Sequence, residues 1–212
     1  MKLTIPKSLA DIKLSQYQRF IKETKGIEDE EQIKVKTITI FCKIPQQDYK
    51  KLTLPQIAKA LEQINKLFET KPPLQTIIKH NGKKYGFIPN DFKDLTFGEF
   101  TDIDTYLKDI STYHKAMKVL YRPVYFTKGS QYLIEDYDAS AEDLDLSIDV
   151  VFGCIGFFLT LLSDLLNCTQ KYIQGQVVQD ERLWNLVKNG VGINHFTLLL
   201  REMYLSSTKL VS

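Results

Sequence analysis

Cysteine, histidine, arginine and tryptophan are all scarce in these 212 residues. The three cysteines, Cys42, Cys154 and Cys168, form no Cys-x-x-Cys pair, and so sparse and odd a count argues against a secreted disulfide scaffold. Cys154 and Cys168 stand in apolar, helix-patterned sequence, where a free cysteine behaves as a small hydrophobe. The histidines His80, His114 and His195 are scattered, and nothing in the spacing brings Cys42 to one of them for nucleophilic catalysis. Gly190-Val191-Gly192 has neither the preceding strand nor the following Lys-Ser/Thr of a phosphate loop. No serine sits in a nucleophile-elbow pattern. The opening Met1-Lys2-Leu3-Thr4-Ile5-Pro6 lacks the long apolar run of a signal peptide.

Long hydrophobic runs are equally rare. The longest uncharged stretch, Val150 to Ser163, is 14 residues between Asp149 and Asp164. A bilayer span needs about 20. A buried central helix is the plain reading, and Gly153 and Gly156 in it allow close helix approach. An oligomer interface ranks next, and membrane insertion last.

What is present is a core-forming composition: 43% hydrophobic, 25% charged and 11% aromatic, the aromatics nearly all Tyr and Phe. Net charge is +2, but it is unevenly spread. From Glu135 to Ser212 there are eleven acids and five bases, a net of −6, so the preceding part carries +8. Those bases are mostly lysines interspersed with acids. Sequence-specific nucleic-acid binding calls for an arginine-rich basic stripe, so any such contact is expected to be non-specific. A charge-polarised body suits stacking on copies of itself or on a partner.

Periodicity and punctuation predict one mainly α (α+β) domain over 1–212, with a helical bundle-like core, two small β-hairpins and an extended N-terminal arm. The arm covers 1–13, with Leu3 to Ile5 a short strand or extended segment. Helices occupy 14–72. Ser15 caps the first, over Gln16 to Thr24. Glu28 to Phe41 reads as a second helix, although the β-branched run Val35 to Ile40 keeps a strand open. Leu54-Pro55 opens a third, with Ile57, Leu61, Ile64 and Phe68 at helical spacing, stopped at Lys71-Pro72-Pro73.

The block 73–134 reads hairpin, two helices, hairpin. Asn81-Gly82 between two β-prone runs is a strong turn signal, because a type I′ turn needs positive φ twice. Thr96 and Glu99 make a capping box for a helix reaching about Ile110. A second helix, from Tyr113, stops near Leu120 before Pro123. Lys128-Gly129-Ser130 turns the second hairpin. In 135–212, the acidic stretch from Asp136 to Asp149 opens a long helix with Leu144, Ile148, Val151, Ile155 and Phe158 on its apolar face, running to about Tyr172. Gly175 follows it, and Asp180 to Leu205 holds further helical sequence.

The best candidates for chemistry lie between Asn81 and Pro123. Glu99 and Asp102 are three apart and share a helix face, and His114 begins the next helix. Together they are the most plausible ligands for a metal-dependent enzyme. The Glu-x-x-His pattern that a di-metal bundle repeats on two helices is absent, however, and cap and helix dipole already account for both acids. Arg122, rare in a lysine-rich chain, either ties its helix end to Asp102 or Asp104 or bridges to a neighbouring subunit.

The phrases Tyr85-Gly86-Phe87-Ile88-Pro89, Leu95-Thr96-Phe97-Gly98-Glu99-Phe100-Thr101-Asp102-Ile103-Asp104-Thr105-Tyr106 and His114-Lys115-Ala116-Met117-Lys118-Val119-Leu120-Tyr121-Arg122-Pro123 resemble a pattern in proteins of tailed bacteriophages of the crAss-like kind. The later Asp149 to Gly153 and Phe157-Phe158 fit the same pattern, and the similarity covers roughly Leu14 to Tyr172. The resemblance implies a non-enzymatic virion structural protein, made in the cytoplasm of the bacterial host. Its place would be a multi-copy ring or connector at the portal-tail junction. Its partners would be copies of itself and other portal and tail proteins, with no cofactor, metal, membrane or small-molecule substrate. Leu3, Thr4, Ile5, Asn81, Gly82 and Arg122 are then the expected subunit-interface residues. A tail-assembly chaperone absent from the finished particle is the alternative role.

Overall fold

The computed structural model describes residues 3–88, 95–129 and 131–173. They form a mixed α+β fold that is mainly helical, as the periodicity predicts. The helices are α1 (Leu14–Thr24), α2 (Glu30–Phe41), α3 (Gln46–Tyr49), α4 (Leu54–Phe68), α5 (Phe97–Tyr106), α6 (Tyr113–Leu120) and α7 (Ile148–Ile173). The strands are β1 (Ile77–His80), β2 (Lys83–Phe87), β3 (Tyr121–Lys128) and β4 (Gln131–Ile134). The predicted features at Ser130, Gly175, Asp180 to Leu205 and His195 lie outside the described residues. The chain groups into two compact units, Met1–Pro73 with Asp145–Gly153, and Leu74–Leu144 with the chain from Cys154 onward.

In the first unit, α1, α2, α4 and the start of α7 enclose a core of Ile12, Leu14, Ile38, Ile64, Ile148 and Val151. Aromatic rings meet inside it. Tyr17 stacks on Phe68 at 5.6 Å and meets Phe152 edge-on at 5.4 Å, while Phe41 lies 5.3 Å from Phe68. The ambiguity of Val35 to Ile40 resolves as helix. Asp29 caps α2 by accepting the Glu31 N–H, Glu30 and Glu31 suit the positive end of the helix dipole, and Ile38 and Phe41 fall three apart on the buried side.

Ser15 does not cap α1. The helix starts two residues earlier than expected, at Leu14, and Gln16 Oε1 accepts the Lys13 N–H. Ser15 is instead held by Asp145, whose carboxylate accepts both its N–H (2.9 Å) and its hydroxyl (2.8 Å). An antiparallel bridge between Lys13 and Ser147 explains why Asp145 arrives there: Leu14 N–H donates to Leu146 O, and Ile148 N–H to Ile12 O. Leu3 to Ile5 belong to no strand.

In the second unit the two predicted hairpins join into one antiparallel sheet of order β1-β2-β3-β4. The junction is Tyr85 to Phe87 against Tyr121 to Pro123, so α6 runs directly into β3. Pro123 is accommodated inside the strand, its carbonyl accepting the Glu135 N–H. Asn81 (φ 48°) and Gly82 (φ 79°) form the anticipated turn. One sheet face carries Ile78, Phe87 and Tyr121 inward, with Phe87 5.6 Å from Phe157 and 6.2 Å from Phe158 of α7. The other carries Gly86, over which Tyr132 and Ile134 lie. A Cβ at Gly86 would sit 2.5 Å from Tyr132 Cε2, so only glycine fits. Tyr132 then donates its hydroxyl to Phe87 O.

Two further helix boundaries differ from expectation. α5 ends at Tyr106, and a separate 3₁₀ turn follows at Ile110–Thr112. The acidic stretch before α7 is not helical, and α7 begins only at Ile148. Asp138 accepts the N–H of Ser140 in a local turn, Lys118 Nζ binds the carbonyls of Ala139 and Ala141, and Leu144 and Leu146 alternate into cores as extended chain. Leu144 therefore belongs to no helix face.

Candidate functional site

Of the residues singled out for chemistry, Glu99, Asp102 and Arg122 gather where α5 and the segment after β4 meet the sheet. Thr96 caps α5, and Glu99 completes the box: its Oε2 accepts the Thr96 N–H and hydroxyl, each at 2.7 Å. Its other oxygen, Oε1, takes Arg122 Nη2 at 2.5 Å. Both side chains are nearly sealed, with 6% of Glu99 and 12% of Arg122 exposed. Arg122 Nε donates to Val119 O, and its guanidinium lies over the Tyr137 ring, 5.9 Å from the centroid. Tyr137 donates its hydroxyl to Asp102 Oδ2 at 2.8 Å. Burial, and then this bond to a carboxylate, push the Tyr137 phenol well above its ordinary range.

This arrangement corrects one expectation. Arg122 is paired, but with Glu99 rather than Asp102 or Asp104. Glu99, in the first turn of α5, is the carboxylate beside the sheet, Asp102 one turn on is held by Tyr137, and Asp104 pairs with Lys108 along its own helix. His114 lies 3.5 Å from Asp143, which also binds Lys118 at 3.2 Å, so it does not join Glu99 and Asp102. Among the described residues, no group of three or more His, Cys, Asp or Glu could hold a metal ion. A cleft of about 440 Å³ opens beside the cluster, walled by Thr96, Glu99, Arg122, Tyr132 and Glu135 to Tyr137. Its one arginine is already committed to Glu99.

No known protein family, curated protein or solved structure matches this chain.

The surface of the second unit is polarised. Lys79, Lys83 and Lys84 are exposed around the Asn81-Gly82 turn and carry no ion pair among the described residues. Glu135, Asp136 and Asp138, directly after β4, are exposed as well. Apolar side chains also face solvent: Phe126 and Leu133 form a register pair across β3 and β4, 48% and 51% exposed, beside Tyr125 at the bulge. Of the expected interface residues, Asn81 and Gly82 stand exposed at the turn. Thr4 is exposed, Leu3 and Ile5 are half-buried, and Arg122 is turned inward. Tyr137, Tyr132 and Asp145 escaped the sequence reading, because each acts on a residue far away in the chain. Gly86 within a β-prone run was the single local cue. Among the described residues no helix is long and apolar enough to cross a membrane.

Proposed function

We propose that this chain is a non-enzymatic structural subunit of a tailed-phage particle, present in many copies as a ring or connector between portal and tail. The likeness of the 85–123 block to crAss-like phage proteins supplies the setting. The observation that carries the non-enzymatic part is the closure of that block on itself. Glu99, Asp102 and Arg122 of the block, together with Tyr137 from the segment after β4, are engaged in fastening α5 and that segment to the sheet. Side chains used this way hold positions. The solvent-facing Tyr125, Phe126 and Leu133 favour a protein that makes contacts with other proteins.

Mass spectrometry of purified particles tests the proposal directly, and a side-chain-resolution map of the virion locates the subunits. The expected result is a multi-copy protein at the portal-tail junction. Absence from particles combined with binding to tail proteins in infected cells would instead identify an assembly chaperone. A protein that is absent from particles and strictly monomeric refutes the proposal.

A further inference from the structure

We infer that copies of this chain join head to tail through the two outer strands of the sheet, the basic β1–β2 hairpin of one copy meeting the acidic end of β4 in the next. The inference gives the multi-copy reading above its surface. In the order β1-β2-β3-β4, β1 and β4 lie at opposite edges, and among the described residues neither has a strand partner on its outer side. Strands alternate in direction across the sheet, so β4 of one copy meets β1 of the next as an antiparallel neighbour. That pairing continues the ladder already present.

Lysines on an edge strand ordinarily repel intruding strands. Here the opposite edge is matched to them. Lys79 on β1, with Lys83 and Lys84 of the adjoining β2, supplies three exposed cations on one side, and Glu135, Asp136 and Asp138 after β4 three exposed anions on the other. Two edges with like charge would repel, whereas these attract each other and not themselves. Each edge also presents an apolar side chain to solvent, Ile77 on β1 and Leu133 on β4. Because the two surfaces differ, the contact is heterologous. It closes into a ring if the rotation between copies allows and otherwise runs on as a filament.

The test is the mass of the full chain in solution, by light scattering and sedimentation, at low and high salt. Two charge-reversed proteins are compared: Lys79→Glu with Lys83→Glu and Lys84→Glu, and Glu135→Lys with Asp136→Lys. Wild type is expected to associate at low salt and to dissociate as salt screens the contact. Each reversed protein alone is expected to associate more weakly by on the order of tenfold or more. Mixing them is expected to restore assembly, because each then offers the other an opposite partner. Circular dichroism confirms that both variants fold.

A wild type that stays monomeric at low salt overturns the inference. So do variants that assemble like wild type, or a mixture that fails to recover. Binding of the lysine hairpin to duplex DNA by a monomer, lost in the lysine variant, would also overturn it. The two readings fail separately: a monomer found in particles sinks this contact alone, and an edge-joined oligomer absent from particles sinks the virion assignment alone.

Discussion

Replacing Arg122 by methionine tests whether the Glu99–Arg122 pair holds the second unit together. Methionine keeps an unbranched apolar stem but removes the guanidinium over Tyr137 and leaves Glu99, only 6% exposed, with the two donors of Thr96 and no counter-charge. Breaking a buried pair in this way costs about 3–5 kcal/mol, because the surviving charge stays desolvated. For a chain of this size that corresponds to a fall in Tm of roughly 6–20 °C. Urea unfolding followed by tyrosine near-ultraviolet dichroism is a suitable assay, since Tyr121 and Tyr137 lie in this unit. Glu99→Gln retains an acceptor for the Thr96 N–H and so preserves the cap. The double variant Glu99→Gln/Arg122→Met removes both charges and is expected to recover at least about 1.5 kcal/mol relative to the sum of the single changes. The exposed Lys108–Asp104 pair is the comparator: Lys108→Met should cost no more than about 1 kcal/mol. An Arg122→Met loss no larger than that of Lys108→Met, or strict additivity in the double variant, would refute the reasoning.

Gly86→Ala should cost about 1–3 kcal/mol in thermal melts, because its Cβ would lie 2.5 Å from Tyr132 and 2.8 Å from Ile134. Adding Tyr132→Ala should return part of that loss. Tyr137→Phe should cost about 1–2 kcal/mol through its lost bond to Asp102. The folded state keeps the Tyr137 proton above the pH at which a free phenol, near 10, releases it, so this contribution is complete below pH 10 and fades as pH rises. The variant should therefore lose less stability on going alkaline. Burial raises the Cys42 thiol to about 11 from an ordinary 9 and raises Cys154 as well. Alkylation of both at pH 8 should be at least roughly 100-fold slower in the native protein than in urea, read peptide by peptide by mass spectrometry.

Local signals were legible wherever a short stretch of chain settles its own conformation. The Asn81-Gly82 turn follows from two positive φ angles that few residues accept. The Thr96–Glu99 box follows from side chains that reach a backbone N–H within one turn, and the start of α4 from Pro55 in its first turn. The boundary of α6 was visible for a similar reason, in the proline two residues after Tyr121. The acidic stretch before α7 has helix-compatible sequence yet is extended, because what holds it so is Lys118 of α6 and the Lys13–Ser147 bridge, neither of which is a property of the stretch itself.

The sequence by itself determined the class, mainly helical with β-hairpins, and the block that holds Glu99, Asp102 and Arg122. Periodicity and turn chemistry are local quantities, written in neighbouring side chains. Only the tertiary structure decided that the two hairpins are one sheet, that Arg122 answers to Glu99 and not to Asp102, that Asp145 holds Ser15, and that Tyr132 needs Gly86 beneath it. Those pairings join residues 23 to 130 positions apart. The choice among several chemically equivalent carboxylates or tyrosines is made by which backbone segments the hydrophobic core brings together, and the sequence carries no local mark of that choice.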